Sequence, residues 1–228
     1  MTNKTLESIK LSNSENGLSE AVADLEIQLE QNQLDQLDRY CRLLWDWNER
    51  INLTRHTDYE TFVRRDLVDS MQLGDLLHEN ETVLDVGTGG GVPGVILAIL
   101  RPDLTVSLSE SVIKKARAIE QIVQELELPV TVFAQRAEAV LDDFRFDVLV
   151  ARAVGSLRKM LYWFQPHWDS IGRLLTVKGP KWVDERSEAR HRGLLRGMEL
   201  RCATRYPMPG TTSESVVLKI WRKGDPER

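Results

Sequence analysis

The chain has 228 residues, of which 42% are hydrophobic and 29% are charged, and a formal net charge of -5. These values are ordinary for a globular protein with a sizeable core, and no apolar run approaches the roughly 20 residues that span a bilayer. The net charge argues against a generally basic nucleic-acid binder. However, Met1 to Phe62 holds six Lys and Arg against twelve Asp and Glu, whereas Arg152 to Arg205 holds twelve against five. The basic part is either a solvated helix face or a side that faces phosphates.

The first residues, 1–17, are rich in Ser, Asn, Lys and Glu, which predicts a disordered tail. They lack the apolar stretch of a secretory signal, so we expect a cytoplasmic protein. Cys41 and Cys202 lie far apart and have no metal-ligand spacing. We therefore expect two free thiols and no metal site.

Two helices are predicted next, and together they make residues 18–80 an N-terminal helical extension. Apolar residues recur at helical spacing from Leu34 to Asn48, which predicts an amphipathic helix packed on the main domain. A second helix is predicted from about Tyr59 to His78. Arg65, Asp66 and Asp69 crowd the same turns of that helix, where they either form ion pairs or face the site.

A glycine-rich turn follows the first predicted strand, Thr82–Val86. Asp85 precedes glycines at positions 87, 89 and 91, and a hydrophobic helix begins near Pro93. Glycines let the backbone approach a nucleotide-like ligand closely. A dinucleotide fingerprint would carry its third glycine where Val92 stands. The stretch resembles instead the D-x-G-x-G-x-G motif of S-adenosylmethionine-dependent methyltransferases, although such a loop can also bind another nucleotide or none.

Further candidates for cofactor binding follow the next two strands. Glu110 ends the strand Thr105–Ser109, where a carboxylate can accept hydrogen bonds from both ribose hydroxyls. Ala137 and Glu138 follow the third strand. In an S-adenosylmethionine fold this turn lies beside the adenine, but it is also compatible with a plain helix start. The predicted cofactor-binding set is Asp85, Gly87, Gly89, Gly91, Val92, Glu110, Ala137, Glu138 and Arg152.

Two basic residues directly follow the carboxyl ends of later predicted strands. Arg152 follows the buried strand Phe146–Ala151, and Lys178 follows a fifth strand. Ligands of open α/β sheets bind outside the carboxyl ends of the strands. Arg152 is therefore a candidate for holding the methionine carboxylate or an RNA phosphate, with a structural salt bridge as the alternative.

The alternation of strands and helices predicts the fold class. Five strand–helix units run from Thr82 onward, and Leu200–Tyr206 and Ser215–Trp221 form a terminal hairpin around a Pro- and Gly-containing turn. This layout predicts an α/β, Rossmann-like class I methyltransferase fold with a seven-stranded sheet at residues 81–228.

Together, these motifs resemble the RsmG family, also called glucose-inhibited division protein B. The residues that carry the resemblance span about 34 to 220 and occur in the family's order: Trp47-Asn48, Asn52-Leu53-Thr54, Arg65 to Asp69-Ser70, Asp85 to Gly94, Arg101-Pro102, Lys114-Lys115 with Arg117, Ala151-Arg152-Ala153 and Lys178-Gly179.

The resemblance implies a cytoplasmic enzyme that moves the methyl group of S-adenosylmethionine to N7 of a guanine in 16S ribosomal RNA. Its partner is that RNA or the small ribosomal subunit, with no membrane partner, and we expect a monomer. Carried over from the family, the cofactor contacts are Gly87, Val92, Ala137, Glu138 and Arg152. Glu110 stands where the family usually has Asp.

Three positions depart from the family pattern. Asp66 replaces a His, Pro180 replaces a Gln, and Ser213-Glu214 replaces an Arg-His pair. Each change removes an RNA-facing donor or cation. A small-molecule methyltransferase and a non-catalytic S-adenosylmethionine-binding module that contacts RNA are therefore kept as alternatives, ahead of an NAD-dependent oxidoreductase.

The chemistry itself predicts few catalytic groups. Guanine N7 is an exposed lone pair, so its methylation needs no general base, and catalysis reduces largely to proximity. We expect Arg65, Arg152 and Lys178 to position phosphate or the cofactor carboxylate. A carboxylate such as Asp66 or Asp69 is a candidate for stabilising the positive charge of the product.

Overall fold

The structure, a computed structural model, describes residues 17–225. Its strands are β1 (Thr82–Val86), β2 (Thr105–Ser109), β3 (Thr131–Phe133), β4 (Phe146–Arg152), β5 (Ile171–Lys178), β6 (Met198–Pro207) and β7 (Glu214–Arg222). They form a seven-stranded sheet in the order β3-β2-β1-β4-β5-β7-β6. Strands β1 to β5 are parallel, and the β6–β7 hairpin joins β5 in antiparallel orientation. The predicted fold class and terminal hairpin are confirmed.

Helices cover both faces of this sheet. They are α1 (Gln31–Asn48), α2 (the consecutive segments Tyr59–Thr61, Phe62–Leu67 and Val68–Gly74), α3 (Gly94–Leu100), α4 (Ile113–Glu125), α5 (Ala137–Asp143), α6 (Leu157–Phe164) and α7 (Trp182–His191). Apolar residues of α1 to α4 pack in one core cluster and those of α5 to α7 in another. Because both faces are covered, the inner strands are buried almost throughout.

The predicted N-terminal extension packs on the sheet domain. Leu37, Tyr40 and Leu44 of α1 lie in the same core cluster as Val95 and Ile119, from helices that cover the sheet. The extension thus shares a hydrophobic core with the sheet, and its division at residue 80 stays a prediction. The predicted tail lies outside the described residues except for Gly17, which is helical.

One helix ends earlier than predicted, and another changes its type at its end. The helix from Tyr59 ends at Gly74, where Arg101 Nη1 donates to the carbonyls of Gly74 and Leu77 at 2.9 and 3.2 Å. Helix α6 gives way after Phe164 to a 3₁₀ segment, because Pro166 lacks the N–H that another α-helical turn needs.

The middle segment of α2, Phe62–Leu67, is π-helical. Such a segment shifts the phase of the side chains that follow it, and it often occurs at functional sites. Here Asp66 and Asp69 are both buried, whereas Arg65 of the same helix is exposed. In this helix Arg65 therefore points to solvent, while Asp66 and Asp69 point into the interior.

Within residues 17–225, every helix is too short or too polar to cross a bilayer. The same residues contain no cluster of three or more His, Cys, Asp or Glu side chains arranged to hold a metal ion. Cys41 and Cys202 are free thiols.

Candidate cofactor and substrate site

Asp85 organises the glycine-rich turn between β1 and α3. It is fully buried, and its Oδ2 accepts hydrogen bonds from Thr88 Oγ1 at 2.5 Å and from Gly94 N at 2.8 Å. Burial raises its pKa to about 6, against the opposing effect of these two hydrogen bonds. The other oxygen, Oδ1, is buried and has no hydrogen-bond partner in the described structure. Asp85 therefore fixes the turn, and its Oδ1 is a buried acceptor without a described partner.

The glycines at 89 and 91 meet different requirements. At Gly89, with φ of +61°, an added Cβ would meet no close neighbour, since the nearest atom is Gly87 O at an ordinary contact distance of 3.9 Å. At Gly91, with φ of +105°, a Cβ would lie 2.7 Å from side-chain atoms of both Ile119 and Val95. Gly89 thus leaves room for a ligand against the main chain, whereas Gly91 permits the packing of the turn on two helices.

Glu110 links the ends of β1 and β2. Its side chain is mostly buried, and its carboxylate accepts from Gly89 N at 3.1 Å and from Val112 N at 2.7 Å. Each carboxylate oxygen has a second lone pair, so the group can accept ligand hydroxyls while it remains bound to the main chain.

The end of β3 lies beside these residues. The amide of Glu110 donates to Phe133 O at 3.0 Å, and Ser109 Oγ donates to Gln135 O at 3.3 Å. Helix α5 then begins with the buried Ala137 and the half-buried Glu138. The carboxyl ends of β1, β2 and β3 therefore lie side by side, and cofactor binding by Glu110, Ala137 and Glu138 stays a prediction.

A cavity of about 820 Å³ opens next to this region, at the ends of β4 and β5. The β6–β7 turn and the π-helical segment of α2 complete its wall. Its lining includes seven charged side chains: Glu60, Arg64, Arg65, Asp69, Arg152, Lys178 and Glu185. Arg65 is exposed there and forms no ion pair with a described residue.

Arg152 belongs to a buried ion cluster. Its Nη2 lies 2.5 Å from Asp66 Oδ1, and its Nε lies 2.8 Å from Asp69 Oδ2. His56 Nε2 lies 2.9 Å from the other oxygen of Asp66, and Tyr206 donates to Asp69 Oδ1 at 2.7 Å. The structure therefore shows the salt bridge that the sequence analysis kept as the alternative for Arg152, and cofactor binding by Arg152 stays a prediction.

The pKa values of the two carboxyls of this cluster are shifted in opposite directions. Burial alone would raise the pKa of Asp66, but the hydrogen bond with His56 and the charge of Arg152 lower it overall. Burial raises the pKa of Asp69, and the charge of Arg152 and the Tyr206 hydrogen bond only partly offset this effect. Both carboxylates are held by partners in the cluster, and Asp69 also lines the cavity.

Lys178 lines the cavity but is also engaged. Its Nζ donates to Gly155 O at 2.5 Å and lies 3.0 Å from Glu185 Oε2. Of the three departures from the family pattern, Ser213 lines the cavity, Pro180 is exposed, and Asp66 is buried rather than directed at a substrate.

Sequence reasoning missed His56, Tyr206 and Glu185 as members of this region. Each contacts it through its side chain: Tyr206 and Asp69 are 137 positions apart, whereas His56 lies ten positions from Asp66 and Glu185 seven positions from Lys178. No local pattern marks such pairs.

The comparison with known proteins points to one family. The model for rRNA small subunit methyltransferase G matches residues 33–205. A ribosomal RNA small subunit methyltransferase G of Rhodopirellula baltica is 54% identical over 178 residues, which cover 78% of this chain and 77% of the relative. A protein of that name from Anaeromyxobacter sp. is 34% identical and covers 90% of this chain and 95% of its own length.

Solved structures share the fold at low sequence identity. A precorrin-6y C5,15-methyltransferase from Geobacter metallireducens superposes with a TM-score of 0.52 at 14% identity, covering 77% of this chain and 95% of that chain. The 23S rRNA methyltransferase ErmE gives a TM-score of 0.52 at 15% identity, covering 71% and 70%. These similarities support the fold alone.

Proposed function

The chain belongs to the rRNA small subunit methyltransferase G family, and we propose that it transfers a methyl group from S-adenosylmethionine to N7 of a guanine in 16S ribosomal RNA. The family match supports three parts of this proposal: the reaction class, the cofactor and the ribosomal substrate. The choice of N7 follows from the resemblance of the motifs, and the bare or assembled state of the RNA is not specified by it. We also propose a cytoplasmic location.

The residues at the ends of β1 to β3 fit the cofactor. S-adenosylmethionine supplies an activated methyl group on a sulfonium centre. The buried Oδ1 of Asp85 has no partner among the described residues and is a candidate acceptor for its amino group. Glu110, already held by two amides, is the candidate for the ribose hydroxyls, and Ala137 and Glu138 for the adenine edge.

The neighbouring cavity is the proposed place for the target guanine. Its 820 Å³ lies within the range of small-molecule sites, about 300–1,000 Å³, so a single nucleotide fits. Arg65, exposed and without an ion-pair partner among the described residues, is the candidate for a phosphate contact. Lys178 and Arg152 act through their buried ion pairs, which fix the shape of the wall.

The methyl transfer needs no proton transfer by the protein. The guanine N7 lone pair forms the new bond to carbon while the carbon–sulfur bond breaks and sulfur keeps its electron pair. The base becomes positively charged, and Asp69 is the carboxylate on the cavity wall best placed to stabilise it. Catalysis is then mainly alignment of N7, carbon and sulfur, and we propose that removing any one charged residue slows the reaction without abolishing it.

The test is methyl incorporation from labelled S-adenosylmethionine into small subunits and bare ribosomal RNA from a strain that lacks the gene. We expect incorporation at one guanine, located by borohydride reduction and aniline cleavage, which act at N7-methylguanine. Tight binding of S-adenosylmethionine without incorporation into either RNA would refute the proposal and favour a non-catalytic binding module. Methylation of small molecules alone would favour the other alternative.

A further inference from the structure

Helix α7 and strand β6 carry a run of arginines outside the cavity. From residue 186 to residue 205 the chain has six Arg and two Glu. Three of these arginines, here called the arginine face, are Arg186, Arg190 and Arg205. All of them are exposed except Arg186, which is half-buried. A surface of this kind is either simply solvated or binds an anionic partner, and its surroundings decide between the two.

A buried tryptophan holds two of the guanidinium groups. Trp182 is only 6% exposed, and the guanidinium carbons of Arg186 and Arg205 lie 5.0 and 5.4 Å from its ring centroid. Stacking on an aromatic ring fixes a guanidinium while its N–H groups remain available to a planar or tetrahedral anion. The two arginines are thereby ordered before a partner arrives.

The nearby acidic residues do not neutralise this face. Glu185 accepts from Leu157 N and pairs with Lys178, and Glu188 pairs with Arg158 at 2.8 Å. Among the described residues, the arginine face forms no ion pair. Two acids of α7 are thus engaged by cations outside the arginine face, and the third, Asp184, is two positions from both Trp182 and Arg186 and so lies on another side of the helix.

The position of the face connects it with the cavity. Helix α7 starts at Trp182, shortly after Gly179, and Gly179 and Glu185 both line the cavity wall. Trp182, Arg186 and Arg190 follow one another at intervals of four residues, so they lie along one stripe of about 12 Å at 1.5 Å per residue. One strand of a duplex carries three or four phosphates over such a length, at about 3.4 Å per phosphate.

We propose that the arginine face binds the phosphate backbone of the RNA that carries the target guanine, beside the cavity that takes the base. This inference rests on the proposed function. Guanidinium groups suit phosphates because their N–H fork matches two phosphate oxygens, and contacts to phosphates position a nucleic acid without reading its sequence. The face therefore orients the RNA, and the cavity selects the base.

The experiment measures binding of a fluorescein-labelled fragment of 16S ribosomal RNA by anisotropy at several salt concentrations. The test variant is Arg190→Gln/Arg205→Gln, and the matched control is Arg39→Gln/Arg50→Gln. Both pairs are exposed, and one arginine of each pair stacks on a tryptophan, since Arg50 lies 5.3 Å from the Trp47 ring centroid. The control therefore removes the same charge from the N-terminal extension.

We expect the test variant to bind the RNA about tenfold more weakly and to reduce the slope of log K against log salt by about 1.5, since each lost phosphate contact contributes about 0.7–0.9. The control should match the wild type, and the affinity of all three proteins for S-adenosylmethionine should be the same. Equal binding by all three proteins, or equal weakening in both variants, would overturn the proposal.

A loss confined to methylation of assembled subunits, with normal binding of the bare RNA, would also overturn it, because the partner of the face would then be a ribosomal protein. Failure of the proposed function is seen separately, in a wild-type protein that transfers no methyl group. The difference in RNA binding between the two variants still decides the role of the arginine face in that case.

Discussion

Replacing Tyr40 by Phe tests whether α1 holds the cofactor turn in place. The Tyr40 side chain is fully buried, and its hydroxyl donates to Gly90 O at 2.9 Å. The ring also packs near Phe62, with 6.1 Å between centroids. Phenylalanine keeps this packing and removes only the hydroxyl, so the Gly90 carbonyl, on a buried residue, loses its donor from α1.

The expected cost follows from that single lost bond. Leaving a buried acceptor unsatisfied costs about 1–3 kcal/mol, and for a chain of 150–250 residues each kcal/mol lowers the melting temperature by about 2–4 °C. We therefore expect Tyr40→Phe to lower the melting temperature by about 2–12 °C. Burial raises the pKa of Tyr40 well above its usual range, so the hydroxyl stays protonated and the effect should not change between pH 6 and 9.

Urea unfolding and calorimetric titration with S-adenosylmethionine measure the two consequences. If the hydrogen bond holds the turn in its binding conformation, the Kd should rise by up to about tenfold, which corresponds to 1.4 kcal/mol. Tyr162→Phe is the control, because Tyr162 is 67% exposed and should change the stability by less than about 0.5 kcal/mol. An unchanged stability and an unchanged Kd in Tyr40→Phe would refute the argument that α1 anchors the turn.

Three further changes probe the interior of the site. Gly94→Ala places a Cβ 2.2 Å from Leu108 Cδ2, so we expect a loss of about 1–3 kcal/mol or more on unfolding in urea; a wild-type stability would mean that the turn yields at no cost. Asp85 has a pKa of about 6 when folded against a usual 3.8, so the folded state binds the extra proton and stability should fall as the pH rises from about 4 to 6, by on the order of 3 kcal/mol. Asp85→Asn should abolish that component of the pH dependence in urea titrations, and retention of the full slope would assign it to another group. Arg152→Met leaves two buried carboxylates without their cation and should cost about 3–5 kcal/mol; a loss below about 1 kcal/mol in calorimetry would show that the cluster relaxes or takes up protons.

Local sequence patterns were sufficient to predict the fold, and they also supply the candidate residues at the ends of β1 to β3. The glycine-rich turn after Val86, the acid at Glu110 and the alternation of strands and helices each depend on neighbouring residues or on a short period. Such signals survive in a single sequence because backbone geometry and burial impose them within a few residues. The matching family model and the sheet order confirm the fold predicted from them.

Element ends were less well determined by the sequence. The helix expected to reach His78 ends at Gly74, where the side chain of Arg101, 27 positions along the chain, donates to the Gly74 carbonyl. The π-helical segment Phe62–Leu67 also lacks a local sequence signal. Both features depend on contacts with other elements, and periodicity alone does not report them.

The tertiary structure alone decided which groups neutralise one another. The sequence placed Arg152 at a strand end and Asp66 on a helix, but only the packing of α2 against the end of β4 makes them an ion pair across 86 positions of the chain. In the same way, only packing places Tyr40 on Gly90 and Tyr206 on Asp69. The sequence by itself determined the elements and the cofactor turn, because these follow from local backbone preferences and burial patterns. The partners of its charged side chains were decided by the tertiary structure, because a buried charge takes whichever opposite group the fold brings within reach.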